Sequence, residues 1–179
     1  LDYDLGYGYV YAPDFLCENR FSNNYYAYKT YFERLLFDNH DKAENKFTIS
    51  TKEQWKLFVS NSRLYDYENY TVSLSNALSL GETDSAGAEN VRFAGRLIGN
   101  GYEIAFVGSN ALFSAAQNAE FKGVTLKGEV NSANEVGALI GNAYGTVKIS
   151  DAVNYCSVGG KDNVGGIIGA VNGKAQYKN

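Results

Sequence analysis

The chain has 179 residues and a mass of 19.6 kDa, enough for one domain with a buried core, and its 45% hydrophobic and 20% charged content is an ordinary globular balance. A net charge of −4, a pI near 5.0 and 16 scattered basic residues argue against nucleic acid as a partner, because neutralising phosphates needs clustered Lys and Arg. No apolar run approaches the roughly 18 residues of a membrane span, so no membrane insertion is expected of this chain, and two cysteines are too few for a disulfide framework. The chain neither begins with Met nor contains one, which suggests a processed or excised piece whose own signal or anchor would lie outside it.

Residues 1–46 differ in composition from the rest. Tyr3, Tyr7, Tyr9, Tyr11, Tyr25, Tyr26, Tyr28 and Tyr31 are eight of the 15 tyrosines. Leu5-Gly6-Tyr7-Gly8-Tyr9-Val10-Tyr11 alternates as an extended segment does, and Pro13 stops it. From Asn24, apolar positions at Tyr25, Tyr28, Phe32, Leu35 and Leu36 follow helical spacing and end near the polar turn Asp38-Asn39-His40-Asp41. The segment reads as strand or loop, then one helix. Its rings could cover an apolar core while their hydroxyls stay wet, the simpler reading, or bind sugar or protein, which makes Tyr7, Tyr9, Tyr11, Tyr25, Tyr26 and Tyr28 the candidate partner-binding residues.

Phe47-Thr48-Ile49 is a short alternating strand, and Ser50-Thr51-Lys52-Glu53 has the pattern of a capping box. With Ser50 as the cap and Glu53 reaching back, a helix is predicted through Trp55, Leu57, Phe58 and Val59 to about Asn61. Strands are predicted at Tyr70–Leu74 and Val91–Phe93, with a loop over 81–90 between them. Asn100-Gly101 is a turn signal between two strand-like pieces, and Phe121–Leu126 reads as one further strand.

The organising feature lies further on. Val136-Gly137-Ala138-Leu139-Ile140-Gly141 returns as Val164-Gly165-Gly166-Ile167-Ile168-Gly169, a period of 164 − 136 = 28. At the same offset Asn134 sits opposite Asp162, Gly145 opposite Gly173 and Val130 opposite Val158. Ala111-Leu112-Phe113-Ser114 is a third, degenerate copy 27 residues before Ala138-Leu139-Ile140-Gly141. Such periods mean stacked units, because one unit cannot bury its apolar face alone. The units are strands and not helical hairpins: each Gly inside a helix costs about 1 kcal/mol relative to Ala, and these units carry Gly at almost every corner. Leu139, Ile140, Ile167 and Ile168 are candidates for inward stacks, although periodicity does not fix which of each pair points inward.

Taken together, Ile49–Trp55, Phe93–Ile104, Ala111-Leu112-Phe113 and the two Val-Gly-x-x-x-Gly words resemble GLUG-motif proteins, over roughly residues 47–176. Those are bacterial surface and secreted proteins, among them adhesins and non-catalytic regions of immunoglobulin A peptidases. The resemblance implies an all-β fold: a right-handed parallel β-helix with the helix after Ser50 capping its N-terminal end. It departs from the family pattern at Ile98, where Asp is usual, at Tyr102, where His is usual, and at Ala138, which replaces the second Gly. The family supplies no catalytic, cofactor or metal residues to carry over.

No constellation in the residues themselves points to chemistry. His40 is the lone histidine, so a His-based zinc site is excluded. Asp66 with Glu68, or Glu82 with Asp84, could serve glycosidic cleavage, but their polar context makes solvated faces the ordinary reading. Asp2, Asp4, Asp14 and Glu18 match no calcium loop. Cys17 and Cys156 are either buried thiols or one bridge between the N-terminal segment and the repeats.

The expectation is therefore a Tyr-rich capping segment over 1–46, with one or two short capping helices in the whole chain, and a β-helix over 47–179. It would act as a non-enzymatic extracellular or cell-surface binding module that contacts host protein or glycan, with no cofactor. An accessory region of a larger surface peptidase and a carbohydrate-active β-helix enzyme are the other readings. Unpaired strand edges are expected at the C-terminal end, to be met there by further coils or domains of a parent protein, or by self-association.

Overall fold

A computed structural model describes residues 40–41 and 44–178, and they form a parallel β-solenoid of about five turns. The Tyr-rich stretch and its predicted helix, with all six candidate tyrosines, Cys17 and the acidic residues Asp2, Asp4, Asp14 and Glu18, lie outside the described residues.

The elements in chain order are β1 (His40–Asp41), β2 (Lys46–Ile49), α1 (Lys52–Ser62), β3 (Thr71–Leu74), β4 (Leu78–Glu82), β5 (Arg96–Ile98), β6 (Glu103–Gly108) and β7 (Phe113–Gln117). They continue with β8 (Glu120–Lys122), β9 (Thr125–Asn131), β10 (Asn134–Val136), β11 (Ile140–Ser150), β12 (Val153–Gly159), β13 (Asp162–Val164) and β14 (Ile168–Lys178). Strands β2, β3, β5, β8, β11 and β14 stack in parallel as one face, β4, β6, β9 and β12 as a second, and β7 with the first halves of β11 and β14 as a third. β10 and β13 pair at a corner between the second and third faces.

The strand registers explain which repeats the sequence displays. Following one inward column, Phe47 pairs with Val72, Val72 with Leu97, Leu97 with Phe121 and Phe121 with Ile149, and the backbone of Ile149 pairs in turn with that of Tyr177. The differences are 25, 25, 24, 28 and 28 residues. The 28-residue echo is thus the ladder register of the last two coils: Asn134 pairs with Asp162, Val136 with Val164, Ile140 with Ile168, Gly145 with Gly173 and Val130 with Val158. The degenerate copy is likewise real, with Phe113 paired to Ile140. Most of the widening comes at one corner: four residues separate Gly108 from Phe113, whereas nine separate their partners Val130 and Ile140, and those extra residues build β10.

The interior changes character along the axis. The early coils are filled by rings, with Phe93 and Phe113 at 4.8 Å, Phe113 and Phe121 at 5.0 Å, and Phe47 at 5.6 Å from Tyr70. Later coils are aliphatic, through Val130, Val136, Leu139, Ile140, Val147 and Ile149, all buried. Leu139 and Ile140 are both fully buried because a bend at 138–139 turns both toward the core, which answers the question that periodicity left open. Two glycines are demanded by the stacking. Gly128 has φ +125 and its Cα faces the Phe106 carbonyl, where a Cβ would collide; Gly145 has φ +62 and lies against the Asn118 side chain.

Helix α1 replaces the second and third faces of the first coil and closes the N-terminal end. Trp55 and Phe58, both buried, drive into the axis: Trp55 lies 6.3 Å from Phe113, and Phe58 lies 5.2 Å from Tyr67, 5.9 Å from Phe93 and 6.0 Å from Phe113. The Gly87 N–H donates to Ser62 Oγ at 2.8 Å, tying the helix end to the coil above. The capping box is present but one residue later than expected. Thr51 is the N-cap, accepting from the Gln54 N–H at 3.2 Å, and Gln54 Oε1 accepts from the backbone N–H groups of Thr51 and Ser50 at 3.2 and 2.7 Å. Gln54 is buried whereas Glu53 is exposed. An amide at that position can accept these bonds without a charge being buried, which is why the register shifts.

Four other expectations are corrected. Residues 91–93 form no strand, only an isolated bridge from Phe93 to Ala116, because this part of the third face is still irregular in the second coil. The predicted loop over 81–90 yields its first two residues to β4, where Gly81, at φ +68, sits at a register shift. Phe121–Leu126 is two strands, β8 and β9, broken by a corner at Gly123 with φ +62. His40 belongs to β1, paired antiparallel with Phe47, and not to a polar turn. Asn100-Gly101, both at positive φ, does turn the chain between β5 and β6, as a corner between faces.

Candidate functional site

Among the described residues, open grooves flank the solenoid, and the larger of the two considered, of about 1020 Å³, runs along residues contributed by several coils. The loops at 64–69 and 89–96 form one side, and residues 117–120 with Thr146 and Lys148 form the other. Its charged side chains are Asp66, Glu68, Glu89 and Glu120 against Arg92, Arg96 and Lys148.

These groups hold one another. The Arg92 guanidinium lies 3.4 Å above the centroid of the Tyr144 ring, its Nη1 donates to Gln117 Oε1 at 3.0 Å, and its Nη2 donates to Glu89 Oε1 at 3.2 Å. Tyr144 closes the cluster by donating its hydroxyl to the same Glu89 carboxylate. That hydrogen bond is the main cause of a phenol pKa raised above the ordinary tyrosine value, with partial burial and the Glu89 charge adding to it. Beside this cluster, Arg96 Nε pairs with Glu120 Oε2 at 3.2 Å, from β5 to β8. A guanidinium fixed on four sides, counting the Glu89 carbonyl that accepts from its Nε at 3.1 Å, is preorganised. Its planar edge and the adjacent carboxylates offer donors and acceptors in a fixed pattern.

The second groove, of about 780 Å³, lies between α1 and the second face and is lined by Lys56, Ser60, Glu82, Thr83, Asp84, Ser109, Glu129 and Asn131. The two carboxylate pairs considered from the sequence are therefore separated, Asp66 and Glu68 in the first groove and Glu82 and Asp84 in the second. Asp66 Oδ1 accepts the Glu68 N–H at 3.0 Å and so shapes its own turn, and Asp84 faces Arg63 at 3.5 Å. Among the described residues, no three His, Cys, Asp or Glu side chains are placed to hold a metal ion, and no helix is long and apolar enough to cross a membrane. Cys156 is a free, half-buried thiol on β12, stacked above Gly128, and burial pushes its pKa up to about 11.

The chain matches no known family model, curated protein or solved structure.

Sequence reading missed Arg92, Glu89, Gln117 and Tyr144. One signal for part of the cluster was present: the 27-residue offset that aligns Phe113 with Ile140 also places Gln117 directly opposite Tyr144 in the ladder. Glu89 and Arg92 come from the irregular part of the second coil, and no period predicts them.

Proposed function

We propose that this chain is a non-enzymatic binding module of a bacterial surface or secreted protein, and that the larger groove is where it contacts its ligand. The observation that carries the reading is the Arg92–Tyr144–Glu89–Gln117 cluster: polar groups held rigid by one another at the wall of an open groove. Binding gains from such fixed donors and acceptors because little side-chain entropy is lost when the ligand arrives. The charges lining the groove nearly balance, which favours an uncharged polar ligand over a strongly acidic or basic one. A host glycan fits that description best, with a polar host-protein surface the other occupant. The resemblance to GLUG-motif proteins adds the extracellular setting.

Glycan and host-protein arrays probed with the purified chain, alongside Arg92→Ala and Glu120→Ala, test the proposal. Retention of a specific ligand, weakened by about tenfold or more in the variants, is the expected result. Binding unaffected by both substitutions, turnover of a bound polysaccharide, or no retention at all would overturn it.

A further inference from the structure

Coiling sorts the charges of this chain by face. Residues that pair in register point to the same side of a sheet, so Arg96, Glu120 and Lys148 form one outward column of the first face, and Ile98, Lys122 and Ser150 form another. Between the two columns Leu97, Phe121 and Ile149 point inward and are buried. Lys46 stands at the head of the first column, joined to Arg96 through Thr71. Lys174, in register with Thr146, continues the face on β14. The cations of four successive strands recur at a fixed interval, since 122 − 96, 148 − 122 and 174 − 148 are each 26. With about 4.8 Å between strands, the row from Arg96 to Lys174 runs about 14 Å along the axis.

Little on this face offsets the row. Among the described residues its strands hold a single carboxylate, Glu120, which is paired with Arg96 at 3.2 Å. Lys46, Lys122, Lys148 and Lys174 form no ion pair there. The strands of the second face have the opposite bias, with Glu82, Glu103 and Glu129 against Lys127. A chain whose formal charge is −4 thus presents one positive face, and basic residues far apart in sequence are gathered on it by the stacking.

We infer that the first face is a second binding surface, and that its occupant is an acidic polysaccharide laid along the solenoid axis with its anionic groups on Arg96, Lys122, Lys148 and Lys174. The row supplies one cation per coil, which follows a single linear chain of anions better than it follows a membrane plane, where broader basic clusters are engaged. Single-stranded nucleic acid needs rings on which bases stack, and the two outward columns from Lys46 to Ser150 bear none. Hydroxyls stand among the cations instead: Thr48, Thr71, Thr146 and Ser150 are half-buried at outward positions, where they can exchange hydrogen bonds with sugar hydroxyls. Arg96 and Lys148 also border the larger groove, whereas Lys46, Lys122 and Lys174 lie outside it, so this surface extends beyond the one proposed above for an uncharged ligand.

The test is retention of the purified chain on immobilised polygalacturonate and dextran sulfate, beside uncharged dextran, an oligothymidylate and vesicles containing phosphatidylserine, in salt from about 50 mM to about 200 mM. The expected result is preference for the two acidic polysaccharides, with an affinity that falls steadily as salt rises because each neutralised anion releases a counterion. That salt series on the unaltered chain is a reading independent of any variant. Lys122→Glu and Lys148→Glu should each weaken binding by about tenfold or more and flatten the salt dependence. Lys161→Glu, the same change of net charge beside β13, away from the first face, leaves binding unchanged. No retention on either acidic polysaccharide, equal retention on uncharged dextran, tighter binding to the oligothymidylate or the vesicles, binding indifferent to Lys122→Glu and Lys148→Glu, or an equal loss in Lys161→Glu would each overturn the inference.

Discussion

Replacing Phe58 by Ala tests whether α1 is the plug on which the early coils depend. The ring is 1% exposed and meets Trp55, Tyr67, Phe93 and Phe113 with centroids between 5.2 and 6.0 Å. Truncating a buried Phe to Ala costs about 3–5 kcal/mol, and the upper part of that range applies where neighbours cannot collapse into the hole. Phe93 and Phe113 cannot, because each is held by pairing to the coil above, Phe93 to Ala116 and Phe113 to Ile140. A loss of about 4 kcal/mol is about a quarter or more of the stability of an ordinary domain, on the order of 5–15 kcal/mol. With a slope of about 2 kcal/mol per M, the urea midpoint falls by about 2 M. Solenoid coils interact mainly with their neighbours, so the damage is graded along the axis. Hydrogen exchange should accelerate most at β2 and β3 and least at β11. A cost below about 1.5 kcal/mol, or equal loss of protection at β3 and β11, would refute the plug, and Lys56→Ala on the exposed side of α1 should stay within about 0.5 kcal/mol.

Two further outcomes follow from local geometry. Thr51→Ala removes the true helix cap and should cost about 1 kcal/mol, and Gln54→Ala strands the Ser50 and Thr51 N–H groups and should cost more, whereas Glu53→Ala should be nearly neutral. Thermal melts of the three variants check the order, and a larger loss for Glu53→Ala would restore the earlier register of the box. Burial favours the neutral Cys156 thiol, so the folded chain keeps that proton through a range in which the unfolded chain releases it. In a Cys17→Ser background, alkylation of the folded chain should stay slow at pH 8 and rise only toward about pH 11, and stability should fall as pH climbs from about 9 to about 11. Rapid alkylation of the folded chain at pH 8 would contradict the buried-thiol description.

The amino-acid sequence by itself determined the stacked architecture of the last coils, because in a parallel solenoid each residue pairs with its counterpart one turn away and the repeat period is the register. Val136 with Val164, Ile140 with Ile168 and Gly145 with Gly173 are both sequence matches and ladder partners. It also located α1, since apolar residues at helical spacing behind a polar cap are a local signal. Only the tertiary structure decided the rest. Along the first face the early coils turn in 24 or 25 residues and are filled by rings, so their alignment to the 28-residue words is lost and Phe121–Leu126 reads as one strand. The capping register moved from Ser50 to Thr51 because burial selects the neutral Gln54 over the charged Glu53, a preference that exists only once α1 is packed on the coils. The candidate groove is further still from local legibility: Glu89 and Tyr144 meet across 55 residues because coils of unequal length happen to bring an irregular loop beside a corner. Repetition describes how one coil sits on the next, whereas a binding site is made where the repetition breaks.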